Sequence, residues 1–310
     1  MELIILKNKK IDKQKYDTSI RESLNGTVYA ASWYLDTIFP DWQLITTPDY
    51  SFVMPLTLKR KYGIACVLQP ILCQQLGIFS KEKITQEVID LFLSKISAPY
   101  CHIHLNAGNQ TQLNQSDLRA NYVLNLNEDY EIIKNNYRKD TKDRLKKIEK
   151  NNLLIDKELD TQTVLKLVKK SSPVYGMNNL KIYESLKKIV TKAEEKGLLL
   201  SRGVKDKVSD DLIAVTFFIR WENTIYYICS YSSEEGKKRD AIRFLFDDLI
   251  KEFSGKNKIL DFEGSVIQSI ALFYISFGAK AVPYPVYHRN CFFRFIKMGR
   301  KYPAKPLILT

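Results

Sequence analysis

The sequence predicts two successive α/β domains of the α+β kind, each a mixed sheet flanked by helices. Three observations lead there. The 310 residues are 45% hydrophobic and 12% aromatic, enough for a sizeable core and too rich in rings for a disordered chain. Strand-like and helix-like segments alternate along the chain. A charged stretch, KNNYRKDTKDRLKKIEKNN over 134–152, interrupts them, and a similar order then begins again. With a boundary near 120–127, the domains are 1–122 and 123–310, about 120 and about 185 residues, both ordinary sizes.

In the first half, LIIL reads as a strand and AASWYLDTIF as a short helix. WQLITT, YSFVMPLTLK and IACVLQP read as strands separated by turn residues. SKEKITQEVIDLFLSKI is a helix with Ile84, Val88, Leu91, Phe92 and Ile96 on one face and Ser80 as its N-cap. YCHIHLNAG and NYVLNL follow as strands. The charged stretch makes one or two helices. TQTVLKLVKKS and NNLKIYESLKKIVTKAEEKG are helices, and LLLSRGV, LIAVTFFIRW and TIYYICSYS are strands, the last two able to pair as a hairpin across Glu222-Asn223. In KKRDAIRFLFDDLIKEF, the spacing of Ile242, Leu245, Phe246, Leu249, Ile250 and Phe253 gives a helix packed by one stripe against a sheet. KILDF is a strand, a helix starts at Ser265, and AKAVPYPVY and CFFRFIK close the chain as strands.

Bulk chemistry narrows the function classes. The formal charge is +13, from 48 Lys+Arg against 35 Asp+Glu, which suits polyanionic partners: nucleic acid, phosphorylated cofactors or an anionic membrane face. The five cysteines, Cys66, Cys73, Cys101, Cys229 and Cys291, are scattered, without CxxC or a disulfide framework. MELIILKNKK places its apolar run before its positive charges, the reverse of a secretory leader. The expectation is a reduced, cytoplasmic protein without a transmembrane segment, with peripheral membrane contact left open.

Two segments can carry chemistry. In YYICSYSSEEGKKRDAIRFLFDDL a strand ends at a polar, Gly-containing loop and a helix starts at once. Lys237, Lys238, Arg239 and Arg243 fall in its first turns. Helix-start N–H groups reinforced by such charges suit a cofactor diphosphate or a tRNA phosphate, and a solvated basic turn is the plain alternative. The loop is neither GxGxxG nor a Walker A loop. In DFEGS, Asp261 and Glu263 fall on one side of an extended strand, Gly264 permits an unusual backbone angle and Ser265 caps the helix carrying Val266, Ile270, Phe273, Tyr274 and Phe277. Either carboxylate can serve as a base if burial raises its pKa, or can simply satisfy nearby N–H groups. Gln69, Gln74 and Gln75 among apolar residues order buried backbone or face a substrate. The three histidines, His102, His104 and His288, lack carboxylates at ligand spacing, so no metal is expected, and no GxSxG elbow supports a serine triad.

Together these segments resemble the FemAB-like branch of the GNAT (Gcn5-related N-acetyltransferase) superfamily, in its tandem two-domain form. WYLDTIFPDWQLI, YSFVMPLTLKRKYGI and LQPILCQQLGIFS resemble its bacterial members. YVLNLNEDYEIIKNNYRKDTKDRLKKIEKNN is similar to the opening of the family's second domain, and DFEGSVIQSIALFYISFGAKAVPY to its end. The resemblance covers most of the chain. It implies two GNAT-like domains with mixed, mostly antiparallel sheets. It also implies direct transfer of an acyl or aminoacyl group, from acyl-CoA or aminoacyl-tRNA, to an amine or hydroxyl of a cell-envelope precursor or metabolite. The matching phosphate site is Ser232, Gly236, Lys237, Lys238, Arg239, Asp240, Ala241 and Arg243, although SSEEGKKRDA stands where the family has an Arg/Gln-x-x-Gly-x-Gly/Ala loop, and the long coiled-coil arm of some Fem proteins is missing. Asp261 or Glu263 is expected to orient or deprotonate the nucleophile and Tyr227 or Tyr287 to donate the proton. The alternative is a catalytically degenerate GNAT-like module that binds an anionic ligand, RNA or a protein partner.

Overall fold

The computed structural model describes residues 1–61, 63–109, 118–148, 152–170, 179–265 and 267–291. Contacts divide the chain into two compact units, Met1–Ala120 with the strand from Val282, and Asn121–Ala281.

The first unit contains β1 (Ile4–Lys7), α1 (Lys13–Glu22), α2 (Ser32–Ile38), β2 (Gln43–Thr46), β3 (Phe52–Leu56), β4 (Leu58–Lys61), β5 (Ile64–Leu68), β6 (Phe79–Ser80), α3 (Gln86–Ser94) and β7 (Tyr100–His104). β1, β2, β3 and β6 pair antiparallel in that order. β4 pairs antiparallel with β5, and β5 pairs parallel with β7 across the crossover helix α3. Ile45, Phe52, Met54, Val67, Ile89, Phe92, Cys101 and Ile103 form its buried core. The α3 stripe is shifted from the expected face: Ile89, Phe92, Leu93 and Ile96 are buried, while Val88 and Leu91 sit at its margin. Thr85, not Ser80, caps α3 through the Val88 N–H, because Ser80 is held in β6 opposite Phe52.

The second unit contains β8 (Leu118–Asn125, from Asn121), α4 (Tyr130–Asn135), α5 (Lys139–Ile148), β9 (Leu153–Asp156), α6 (Thr161–Val168), α7 (Leu180–Glu195), β10 (Leu199–Asp206), β11 (Leu212–Trp221), β12 (Thr224–Ser232), α8 (Glu234–Lys238), α9 (Ala241–Phe253), β13 (Ile259–Asp261) and α10 (Gln268–Ile275). The sheet order is β8-β13-β12-β11-β10-β9, and only β12 and β13 run parallel. The expected hairpin turns at Glu222, whose φ is 49°, with Trp221 opposite Thr224. Behind this sheet, Phe218, Tyr227, Phe246, Phe262, Phe273, Tyr274 and Phe277 pack as edge-on, tilted and stacked rings, with centroids from 4.9 Å apart. Rings of this size, once buried, contribute roughly 2–3 kcal/mol each and tie α9 and α10 to the sheet.

The last described strand is β14 (Lys280–Asn290). The domain division expected at 122/123 falls beside the first unit's edge at Ala120, but β14 from Val282 groups with the first unit, not with the C-terminal half. The reason is register: Val286 to Asn290 pair antiparallel with His104 to Tyr100 of β7. Arg289 reinforces this by donating to the carbonyls of Ile96 and Ala98. The expected strand CFFRFIK falls almost wholly outside the described residues.

Candidate functional site

The second unit's chemistry is organised by β12. Its first residues pair with β13, from Thr224 opposite Ile259 to Tyr226 opposite Asp261, and β13 then ends. β12 runs on to Ser232, still laddered to β11 on its other side. The two parallel strands therefore part company after Tyr226. On β12, Phe217 faces Cys229 but Phe218 faces Tyr227, so Ile228 is an extra, bulged residue. A bulge shifts the in–out alternation by one. Tyr227 and Ser230, three residues apart, thereby share a face, and their hydroxyls are 2.7 Å from one another.

A cavity of about 520 Å³ opens on this face. Rings of Tyr227, Phe246, Phe273 and Tyr274 contribute its aromatic lining, and Ser230, Ser232, Ser233 and Ser269 contribute hydroxyls. Lys170, Lys237 and Glu234 supply its charged groups. Apolar and aromatic walls with a few convergent polar groups are the usual composition of a small-molecule site.

Past Ser232 the chain forms the single turn α8, not a basic first turn of the long helix. Lys237 and Lys238 fall at the C-terminal end of α8, and α9 begins only at Ala241, after Asp240 adopts a left-handed φ of 51°. Two N–H groups of the turn and one just past it are satisfied internally: Gly236 donates to the Ser233 hydroxyl at 3.0 Å, Lys237 to the Ser233 carbonyl and Asp240 to the Lys237 carbonyl. Gly236 is buried against β11, where a Cβ would lie 2.4 Å from the Ile213 carbonyl oxygen, so the glycine serves close backbone packing. Lys237 pairs with Glu234 at 2.6 Å, and Arg239 with Asp206. Arg243 is buried, donates to Thr141 and Ser276 at 2.7 and 3.1 Å, and lies over the rings of Phe273 and Phe277. Ala241 is buried, and Lys238 is exposed. Of the eight residues expected at the phosphate site, Ser232 and Lys237 line the cavity.

Asp261 is buried beside Asn121 of β8, whose amide donates to Oδ2 at 3.0 Å, while the Glu263 N–H donates to Oδ1 at 2.8 Å. Both donors favour the carboxylate, but burial outweighs them and pushes Asp261 up to about 6. Phe262 stacks on Tyr274 at 4.9 Å, and alternation turns Asp261 to the opposite face of the chain. The expected side-by-side pair of carboxylates is not formed on a strand: β13 ends at Asp261, and Glu263 takes a left-handed φ of 62°. That angle falls on Glu263, one residue before Gly264. Ser265 accepts the Ile267 N–H at 3.0 Å, and α10 begins only at Gln268, so Ser265 closes a turn ahead of the helix instead of capping it. Val266 lies outside the described residues. Neither carboxylate lines the cavity. Tyr287 lies in the first unit, opposite Ile103 and packed on that unit's core, and burial pushes its phenol up.

Ser230, Phe246, Phe273 and Tyr274 had no role in the sequence reading beyond core positions. The one signal that could have exposed Ser230 is a serine inside an otherwise apolar strand, and its direction depends on a bulge that alternation alone does not reveal. In the first unit Gln69 accepts the His104 N–H and donates to the Cys73 carbonyl, and Gln75 accepts the Ala107 N–H, so both order backbone. The histidine rings form a row, His104 to His102 at 5.5 Å and His102 to His288 at 5.6 Å, and burial brings His104 down to about 4. Among the described residues no group of three or more His, Cys, Asp or Glu has the geometry to hold a metal ion. No described helix is long and apolar enough to cross a membrane.

No protein-family model and no curated protein matches the sequence. Solved structures do match. FemX superposes with a TM-score of 0.63 at 11% identity, over 94% of this chain and 98% of that one. A tandem GNAT protein from the clavulanic acid biosynthesis pathway gives 0.52 at 9% identity, over 93% and 98% of the two chains. The C-terminal domain of an Agrobacterium fabrum protein described as a lysylphosphatidylglycerol synthetase gives 0.51 at 9% identity, over 91% and 93%. At these identities the likeness is one of architecture alone, and the architecture is the tandem GNAT-type fold.

Proposed function

We propose that the chain is an acyltransferase whose second unit moves an acyl or aminoacyl group to an amine, or a hydroxyl, by direct attack on a thioester or ester. The observation that carries this reading is the parting of β12 from β13 beside the hydroxyl-rich cavity. An extended donor chain laid along the outer part of β12 brings its carbonyl to Tyr227 and Ser230, and backbone N–H groups of that strand segment are the candidates to stabilise the developing oxyanion. No covalent enzyme intermediate is needed. Cys73, Cys101 and Cys229 are buried, burial pushes the Cys101 thiol up to about 12, and no cysteine lines the cavity.

Of the two donor classes, aminoacyl-tRNA is favoured over acyl-CoA. A diphosphate is held by helix-start N–H groups open to it. In the α8 turn the Gly236 and Lys237 N–H groups are taken by Ser233, and the Lys237 and Arg239 side chains are engaged by acidic partners. Lys170 and Lys238 then serve as diffuse contacts for a nucleic-acid backbone in keeping with the +13 charge. The acceptor we infer is an amine on a cell-envelope precursor or metabolite, reached with at most a peripheral membrane contact.

The deciding experiment offers labelled aminoacyl-tRNA and labelled acyl-CoAs to the protein with a panel of amine acceptors. Transfer from aminoacyl-tRNA, abolished by ribonuclease and weakened steeply by salt, is the expected result. Transfer from acyl-CoA alone overturns the donor assignment. RNA binding without transfer from either donor supports the degenerate binding module instead.

A further inference from the structure

We propose that Tyr227 and Ser230 form a two-hydroxyl proton relay in the cavity, with Ser230 as a catalytic residue in its own right. The inference rests on the acyltransferase reading above and deepens it. Four observations converge on the pair. The Tyr227 and Ser230 oxygens are 2.7 Å apart, the short distance of a good O–H···O bond. Both residues are nearly closed to bulk water, 5% and 7% exposed, yet both line the cavity. Aromatic neighbours surround the phenol, with Phe246, Phe218 and Tyr274 at 5.3, 5.8 and 6.3 Å, and an apolar setting strengthens hydrogen bonds within it. Finally, the pairing exists only because of the bulge at Ile228; a regular strand turns Ser230 to the opposite face from Tyr227. Bulges lose ladder hydrogen bonds and recur where a side chain must be re-aimed at a site.

The proton balance of acyl transfer matches such a pair. The attacking N–H or O–H loses one proton when its bond to the carbonyl carbon forms. The leaving sulfur or oxygen gains one when its bond to that carbon breaks. Ser230 Oγ takes the proton from the nucleophile as it passes its own to Tyr227 Oη, and Tyr227 passes its proton to the leaving atom. Both hydroxyls end as they began, with no metal, oxidant or outside base. This arrangement also accounts for a cavity lined by neither Asp261 nor Glu263.

The test compares Ser230→Ala, Ser230→Thr and Tyr227→Phe with the wild type in the transfer assay, in H₂O–D₂O mixtures, alongside thermal unfolding. Expected for Ser230→Ala is a loss of about 100-fold in kcat, in the range of acid–base catalysis, with KM within about threefold. Ser230→Thr, which keeps the hydroxyl, restores most of that loss. The wild-type dependence on deuterium fraction is curved, with three protons in flight, and becomes linear in Ser230→Ala. Wild-type transfer with an unaffected Ser230→Ala overturns the relay and leaves the acyltransferase reading standing. A kcat loss that tracks a lowered Tm, with the isotope dependence unchanged, also overturns it by making the pair structural. Absence of wild-type transfer from every donor sinks both.

Discussion

Asp261 shows how one residue can be legible as a type and illegible as a role. DFE marks two carboxylates, but only the folded chain shows that both Asp261 oxygens are held by Asn121 and the Glu263 N–H. Its raised pKa makes a prediction about stability. The folded value of about 6 lies above the reference value of 3.8, so the native state keeps a proton that the unfolded chain releases between them. The contribution is fully present below about pH 4, fades between about pH 4 and 6, and is lost above. Urea unfolding of Asp261→Asn should therefore lack a pH-dependent component, on the order of 2–3 kcal/mol, that the wild type shows across this window. Parallel pH profiles for the two proteins contradict the assignment. Tyr227 illustrates the opposite case. The sequence singled it out among many tyrosines only as a possible proton donor, whereas its partner Ser230 needed the bulge to be seen.

Among the elements, hydrophobic periodicity located most helices and strands, and errors cluster where a local polar contact decides. The α3 start moved from Ser80 to Thr85 because a strand pairing claimed the serine. The helix α1 lacks a clear apolar stripe, burying only Tyr16 and Ile20, and gave no helical signal. Strand β9, four residues at a sheet edge, was too short to stand out. The most consequential misreading was KKRDAIRF as one helix start. The apolar stripe begins only at Ile242 and does not mark where the helix starts, while the left-handed Asp240 and the Ser233 cap set α8 apart from α9. Gly236 lets α8 sit on β11, and Gly236→Ala should show it. The new methyl carbon meets the Ile213 carbonyl at 2.4 Å and the Ser232 hydroxyl at 2.6 Å, and a ladder carbonyl yields little. We expect a loss of about 1–3 kcal/mol in denaturant unfolding. An unchanged midpoint means the α8 turn moves away from the sheet at little cost. Arg243 performs the complementary task, joining α5, α9 and the end of α10 through Thr141 and Ser276, so a cation that looks like a ligand contact in the sequence is a buried tie between helices.

At the scale of the molecule, the repeated element order was readable, and the membership of the last strand was not. Pairing partners of a strand are fixed by register, and nothing in AKAVPYPVY names β7 as its neighbour. The consequence is testable by ending the chain at Ala281. That deletion removes the strand opposite β7 and the Arg289 ties to Ile96 and Ala98. Hydrogen exchange should then lose protection by about tenfold or more in residues 100–105, while residues 212–232 of the second unit stay protected. Equal loss in both segments, or in neither, contradicts the division.

The same strand sets an order in time. The second unit is one contiguous stretch, Asn121–Ala281, while the first is built from two. In the first unit, β7 gains its antiparallel partner only once Val286–Asn290 have been made. On the ribosome, where domains ordinarily fold in the order of their synthesis, β7 stays unpaired on one side until the last described strand has followed the whole second unit out.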